Sequence, residues 1–148
     1  MGLLTIINSG PIFIDTAPFI YFVERKPLYV DVLRPILNAI DAGKLSAITS
    51  TITYSEVLVI PSRQENWNLV TKYKMLLLET PDLTIVPFDL ELAKQTAEIR
   101  AKYGMKTPDA IQWATAARSE VKFFLTNDHG FKRFSDPQVL LIEDYILS

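Results

Sequence analysis

Short apolar runs alternate along this chain with longer segments in which apolar residues recur every three or four positions, and that alternation restricts the fold more than any other feature. The runs span residues 11–15, 45–49, 83–86, 121–126 and 139–142. Each is short, bounded by turn formers or acids, and continuous enough for a strand buried on both faces. Between them, residues 18–24, 30–42, 53–60, 66–78, 90–103 and 107–118 read as helices. Gly43 and Gly104 stop two of these, Asp89 suits the N-cap of a third, Pro61 should end the helix before it, and Pro108 opens the last. Strands separated by helices pair in parallel through crossovers. The expected fold is therefore α/β, with helices on both faces of a central, mostly parallel sheet of about five strands.

At 148 residues, with no repeat or linker-like stretch, the chain is expected to form one domain over residues 1–148. It contains no cysteine, which excludes disulfides, thiolate metal centres and thiol nucleophiles. A single histidine, His129, makes a histidine-rich metal site or a hydrolase triad a poor fit, so any metal has to be held by oxygen. The N-terminus lacks the basic start of a signal peptide, and the apolar runs fall short of the roughly 20 residues that span a bilayer, so a cytoplasmic protein is expected. Fifteen basic against seventeen acidic residues give a net charge of −2, which argues against a surface wholly made to attract polyanions. Gathering several acids in one pocket around a cation would soften that objection.

In open parallel sheets, ligands bind beyond the carboxyl ends of the strands. Asp15 and Asp128 both stand just after a strand candidate. Each of the interesting acids also has an ordinary explanation. Asp15 could cap the next helix. Glu56 completes Thr53-Tyr54-Ser55-Glu56, a capping box, and on local grounds the cap is the better reading. Asp109 lies in the first turn of a helix, where the dipole favours a negative charge by about 0.3–1 kcal/mol. Asp128 sits among turn formers in LTNDHGF.

Taken together, the segments IFIDTAPFIYFVE, ITYSEVL, AEIRAKYGMKTPDAIQWATA and FFLTNDHGF, in this order and spacing, resemble the PIN-domain family of nucleases, especially its VapC-like toxin branch. The resemblance runs from about Ile12 to Ile142 and implies a three-layer α/β/α fold. It also implies an acidic site of Asp15, Glu56, Asp109 and Asp128, supported by the Thr126 hydroxyl. With it come Mg²⁺ or Mn²⁺ as cofactor, RNA phosphodiester hydrolysis leaving a 5′-phosphate, a homodimer, and a small antitoxin that blocks the site. One departure is Ala17, where the family often has Asn or Ser two residues after the first Asp. A polar contact is expected to be missing there.

The chemistry suits the residues. Hard cations prefer carboxylate and water oxygens, and Mg²⁺ typically keeps several waters beside one or two carboxylates. Two carboxylates about 4 Å apart repel by roughly 4 kcal/mol at an effective dielectric near 20, so a converging cluster needs cations or protons to be tolerable. Candidates to meet an RNA backbone are Arg63, Lys72, Lys74, Arg100, Lys102, Lys106, Lys132 and Arg133, although individually each fits a solvated helix face. Tyr54, Trp67 and Trp113 are expected to pack rather than stack on bases, and His129 to be structural or incidental. A phosphoaspartate phosphohydrolase would need a second acid where Ala17 stands, and a receiver domain would need paired acids early in the chain. A degenerate RNA- or protein-binding module of the same fold, and a housekeeping RNA-processing nuclease, remain the alternatives.

Overall fold

A computed structural model describes residues 2–146. Five parallel strands, β1 (Ile12–Ile14), β2 (Ala47–Ser50), β3 (Leu83–Val86), β4 (Phe123–Thr126) and β5 (Gln138–Leu141), form one sheet in the order β3-β2-β1-β4-β5. Around it lie α1 (Leu3–Ile6), α2 (Thr16–Val23), α3 (Tyr29–Asp41), α4 (Thr51–Arg63), α5 (Trp67–Glu79), α6 (Leu90–Tyr103) and α7 (Thr107–Arg118). The architecture is the expected three-layer α/β/α.

The two faces of the sheet are packed by different chemistry, and strand alternation decides which residue goes where. Ile12, Ile14, Phe123 and Leu125 point into a large, mainly aliphatic core shared with Leu33, Ile36, Leu37 and Ile40 of α3, Val57 of α4 and Tyr73 and Leu77 of α5. Phe13 and Phe124 point the other way into a smaller, aromatic core with Trp113 and Phe131. There Phe13 stacks on Phe124 with centroids 5.0 Å apart, and Trp113 lies 5.0 Å from Phe124 and 4.4 Å from Phe134. Trp113 packs as expected and Tyr54 lies against the aliphatic core, whereas Trp67 is 59% exposed on α5. Its position next to the helix N-cap, Asn66, leaves it outside the buried stripe of Tyr73 and Leu77.

Local signals account for most helix ends. Asp89 accepts from Leu92 N at 2.8 Å, Asn66 accepts from Leu69 N at 3.2 Å, and Gly104 takes φ +66° to close α6. Three local expectations are corrected. The helix α1 was not anticipated. The helix α4 continues through Pro61 to Arg63. Finally, α4 begins at Thr51, with Ser50 as N-cap accepting from Thr53 N at 3.2 Å, so Thr53 is not a cap and Glu56 is not its capping-box partner. Glu56 stands well inside the helix, where it can take another role.

The strand order places the site. The chain builds β1, β2 and β3 outward in one direction, then returns to lay β4 on the other side of β1. The crevice beyond the carboxyl ends of β1 and β4 is the switch point of the sheet, where the two chain directions part. Asp15 N donates to Leu125 O at 2.9 Å, which ties the end of β1 to the end of β4 at this point.

Candidate active site

At the switch point lies an open cavity of about 610 Å³, and Asp15, Glu56, Asp109 and Asp128 all line it. They arrive from four different elements: Asp15 from the end of β1, Glu56 from α4, Asp109 from the first turn of α7, and Asp128 from the segment after β4. Among the described residues no lysine or arginine lines this cavity. Two other cavities lack such chemistry. One of about 290 Å³ beside α1 and α3 has Asp31 as its only acid, paired with Arg34 at 3.0 Å, and one of about 420 Å³ lies between α6 and α7.

Asp15 is half-buried and hydrogen-bonded on both oxygens. Its Oδ1 accepts from Thr16 N at 2.8 Å and from Gln112 Nε2 at 3.0 Å, while Oδ2 accepts from Thr126 Oγ1 at 2.7 Å. Thr126 Oγ1 accepts in turn from Asp128 N at 3.0 Å. Burial raises the Asp15 pKa above the ordinary carboxylate value; the bonds from Thr126, Thr16 and Gln112 offset part of that rise, and the charge of Asp128 adds to it.

Asp109 is also half-buried but accepts no hydrogen bond among the described residues. Its pKa is raised by burial, then by the charges of Asp128, Asp15 and Glu56, with Lys106 opposing. Each of the other three acids is thus close enough for Asp109 to feel it. Asp128 is exposed, and its Oδ1 accepts from Gly130 N at 2.8 Å, capping a short 3-10 helix over His129–Phe131. Glu56 is exposed, and its Oε1 accepts from Thr16 Oγ1 at 2.7 Å. His129 also lines the cavity, where its Nε2 pairs with Glu143 Oε1.

Among the described residues no three acid or histidine side chains are disposed to hold one ion between them. The donor set fits a hydrated divalent cation, held through one or two carboxylates and several waters, better than a cage made of protein oxygen alone. Four carboxylates facing one space, with no lysine or arginine on its wall among the described residues, are the chemical reason a cation would suit it.

Four polar residues of the site escaped the sequence reading: Thr16, Ser50, Thr53 and Gln112. Gln112 is 2% exposed and donates to Asp15, Thr53 and, at 3.4 Å, Thr16. It follows Asp109 by three positions and so shares its face of α7, a spacing that could have drawn notice. Thr16 supplies polar contacts beside Ala17, where the sequence suggested one was absent.

The comparisons with known proteins bear on the fold and the family. The chain is similar in structure to VapBC2 from Rickettsia felis bound to a fragment of promoter DNA (TM-score 0.67, 17% identity, covering 88% of this chain and 97% of that one). It is similar also to a DNA-bound VapBC from Salmonella typhimurium (TM-score 0.66, 19% identity, 89% and 98% covered). A third likeness is to a toxin-antitoxin complex from Klebsiella pneumoniae (TM-score 0.64, 22% identity, 89% and 97% covered). No curated protein matches the chain in sequence. The family model of the PIN domain matches residues 12–137, which takes in β1 to the turn before β5 and all four acids, and on that match the chain belongs to the PIN-domain family.

Proposed function

We propose that this protein is a Mg²⁺- or Mn²⁺-dependent endoribonuclease and the toxin of a type II toxin-antitoxin pair, with its site formed by Asp15, Glu56, Asp109 and Asp128. The observation that carries the reading is that these four carboxylates line one cavity at the switch point of the sheet, with no lysine or arginine on its wall among the described residues. Asp15, Glu56, Asp109 and Asp128 are the proposed metal site, one or two of them holding a hydrated ion directly and the others through its waters. When bound, the cation supplies a lowered pKa for a water and neutralises charge on the leaving oxygen. The chain's own residues do the rest. Thr126 and Gln112 fix the direction in which Asp15 presents its lone pairs. Asp109, its pKa raised and no hydrogen bond holding it among the described residues, is the acid best able to accept a proton from an attacking water.

Substrate contact is proposed over the surface formed by the chain flanking Asp109 and Asp128. The segment before Asp109 carries Lys102, Tyr103 and Lys106, and the segment after Asp128 carries Lys132, Arg133 and Phe134. They meet in a cation–aromatic cluster: Lys102 Nζ lies 5.2 Å from the Tyr103 ring, Arg133 Cζ lies 5.6 Å from it, and Tyr103 meets Phe134 edge-on at 5.0 Å. Cations for phosphates beside a 37%-exposed aromatic ring suit single-stranded RNA. This selects part of the eight basic candidates; Arg63, Lys72 and Lys74 lie on α4 and α5 instead.

For the antitoxin, exposed Val59 and Ile60 on α4 and Trp67, Met75 and Leu78 on α5 offer a helix pair with apolar surface for a partner. A homodimer is proposed from the family resemblance and a cytoplasmic location from the sequence reading; among the described residues no helix is long and apolar enough to cross a membrane. The test is a cleavage assay on a mixed RNA pool with Mn²⁺ and with EDTA, followed by sequencing of product ends. Cleavage that depends on Mn²⁺ and leaves 5′-phosphates is expected. Full activity in EDTA would remove the metal, and Mn²⁺ binding without any cleavage would favour the binding-module alternative.

A further inference from the structure

Gln112 is the one side chain bonded to both the Asp15 and the Glu56 branches of the site. Its bonds admit a single arrangement of protons. Ser50 Oγ accepts from Thr53 N, so its own proton goes to Gln112 Oε1. The Gln112 amide must then turn its NH₂ toward Asp15 Oδ1 at 3.0 Å and Thr53 Oγ1 at 2.8 Å, because the reverse orientation would set its oxygen against a carboxylate. Thr53 Oγ1, having accepted, donates to Thr16 Oγ1 at 3.2 Å, and Thr16 donates to Glu56 Oε1 at 2.7 Å. Every hydroxyl in the chain gives in the same direction, and both ends of the chain are carboxylates acting as acceptors.

From this geometry we infer that Gln112 is a positioning residue which, as a buried amide bonded directly to Asp15 and through one hydroxyl relay to Glu56, sets the spacing and orientation of these two acids for a divalent cation. The inference rests on the metal-dependent reading above. Ser50 caps α4, the helix that carries Glu56, and Asp15 ends β1, so Gln112 on α7 braces three elements at once. Its two ends are both satisfied, so the amide is held in register and no water is needed to complete it. A carboxylate braced in this way offers the cation lone pairs already aimed, whereas an unbraced one must be ordered on binding.

The test is Mn²⁺ binding to the metal-free protein, read from the free-ion signal in electron paramagnetic resonance, for wild type, Gln112→Met and Thr53→Val. Methionine keeps the length of the side chain without the amide; valine keeps the shape of Thr53 and removes the hydroxyl that accepts from Gln112 and relays to Glu56, leaving the Gln112–Asp15 bond in place. Gln112→Met is expected to weaken Mn²⁺ binding by about 10-fold or more, the usual range for a partner behind a metal ligand, and to lower kcat while KM for RNA changes little. Thr53→Val is expected to weaken binding less, about threefold on the same scale. If Gln112→Met fails to fold, Thr53→Val decides alone. Equal Mn²⁺ affinity in a folded variant and the wild type, even with a lowered melting temperature, would overturn the inference and leave Gln112 a packing residue. Absence of Mn²⁺ binding in the wild type would instead overturn the metal-dependent function on which it stands.

Discussion

Asp15 and Asp109 face the same cavity with a raised pKa, yet the structure treats them in opposite ways. Asp15 is gripped on both oxygens by Thr16, Gln112 and Thr126, and its environment counters burial with donors. Asp109 has no donor among the described residues and feels the charges of Asp128, Asp15 and Glu56. One wall of the site is therefore built before any ligand arrives, and the other is left electrostatically unsatisfied. A site of this kind separates geometry from driving force. On the proposed metal-dependent reading, the braced wall would fix where a cation goes, and the repelling wall would supply the free energy gained when it comes.

Neutralising each acid in turn breaks this contrast most easily. Asp15→Asn and Asp109→Asn are both expected to lower RNA cleavage on the order of 1000-fold, the upper range for losing one preorganised charge-stabilising group. Melting in EDTA should distinguish them. Asp109→Asn should melt higher than wild type, because it relieves repulsion without breaking a hydrogen bond, and Asp15→Asn should gain less, since its amide disturbs the bond from Thr126. If both gain equally, the walls do not differ.

A somewhat smaller effect is expected from Mn²⁺. At 100 times its dissociation constant a ligand stabilises by about 2.7 kcal/mol, which corresponds to roughly 5–10 °C in a chain of this size. That shift should vanish in Asp109→Asn; persistence of the full shift would show that the repelling wall does not drive binding.

Next comes pH. A carboxylate whose pKa is raised in the folded state favours the fold below its unfolded value near 3.8, and that contribution is lost as pH rises through the raised value. In EDTA the melting temperature should therefore fall with rising pH above the ordinary carboxylate range, less steeply for Asp109→Asn, and Mn²⁺ should flatten the curve. A wild-type curve that climbs over this window would contradict the repulsion assigned to Asp109.

The smallest effect concerns the rim beyond the acids. Lys102→Ala combined with Arg133→Ala should raise KM several-fold with kcat retained, and flatten the dependence of log Kd on log salt by about 1.4, or about 0.7 for each phosphate that is no longer neutralised. Binding of a noncleaved RNA analogue over a salt series measures it, and an unchanged slope would move the substrate track elsewhere.

Much of this molecule could be read before it was seen in three dimensions, and the exceptions have a common cause. Strand positions and most helices followed from period and caps, because those signals act over a few residues. Glu56 was misread locally because Thr53-x-x-Glu56 has the spacing of a capping box, while Ser50, at the end of β2, reached the helix first. Pro61 did not end α4 because its side chain is buried and tertiary packing outweighs one lost backbone bond. Gln112 carried no local signal beyond lying three residues from Asp109. Its meaning depends on partners 59 to 97 positions away.

The linear order of residues determined the layers, the acids Asp15, Asp109 and Asp128 at strand and helix ends, and the absence of thiolate ligands, since propensity, periodicity and composition are properties of neighbouring residues. Only the tertiary structure decided that β4 pairs with β1, that four acids from four elements face one cavity, and that a buried amide orients two of them. Strand order and long-range hydrogen bonds are set by packing the whole chain at once, and no window of the sequence contains them.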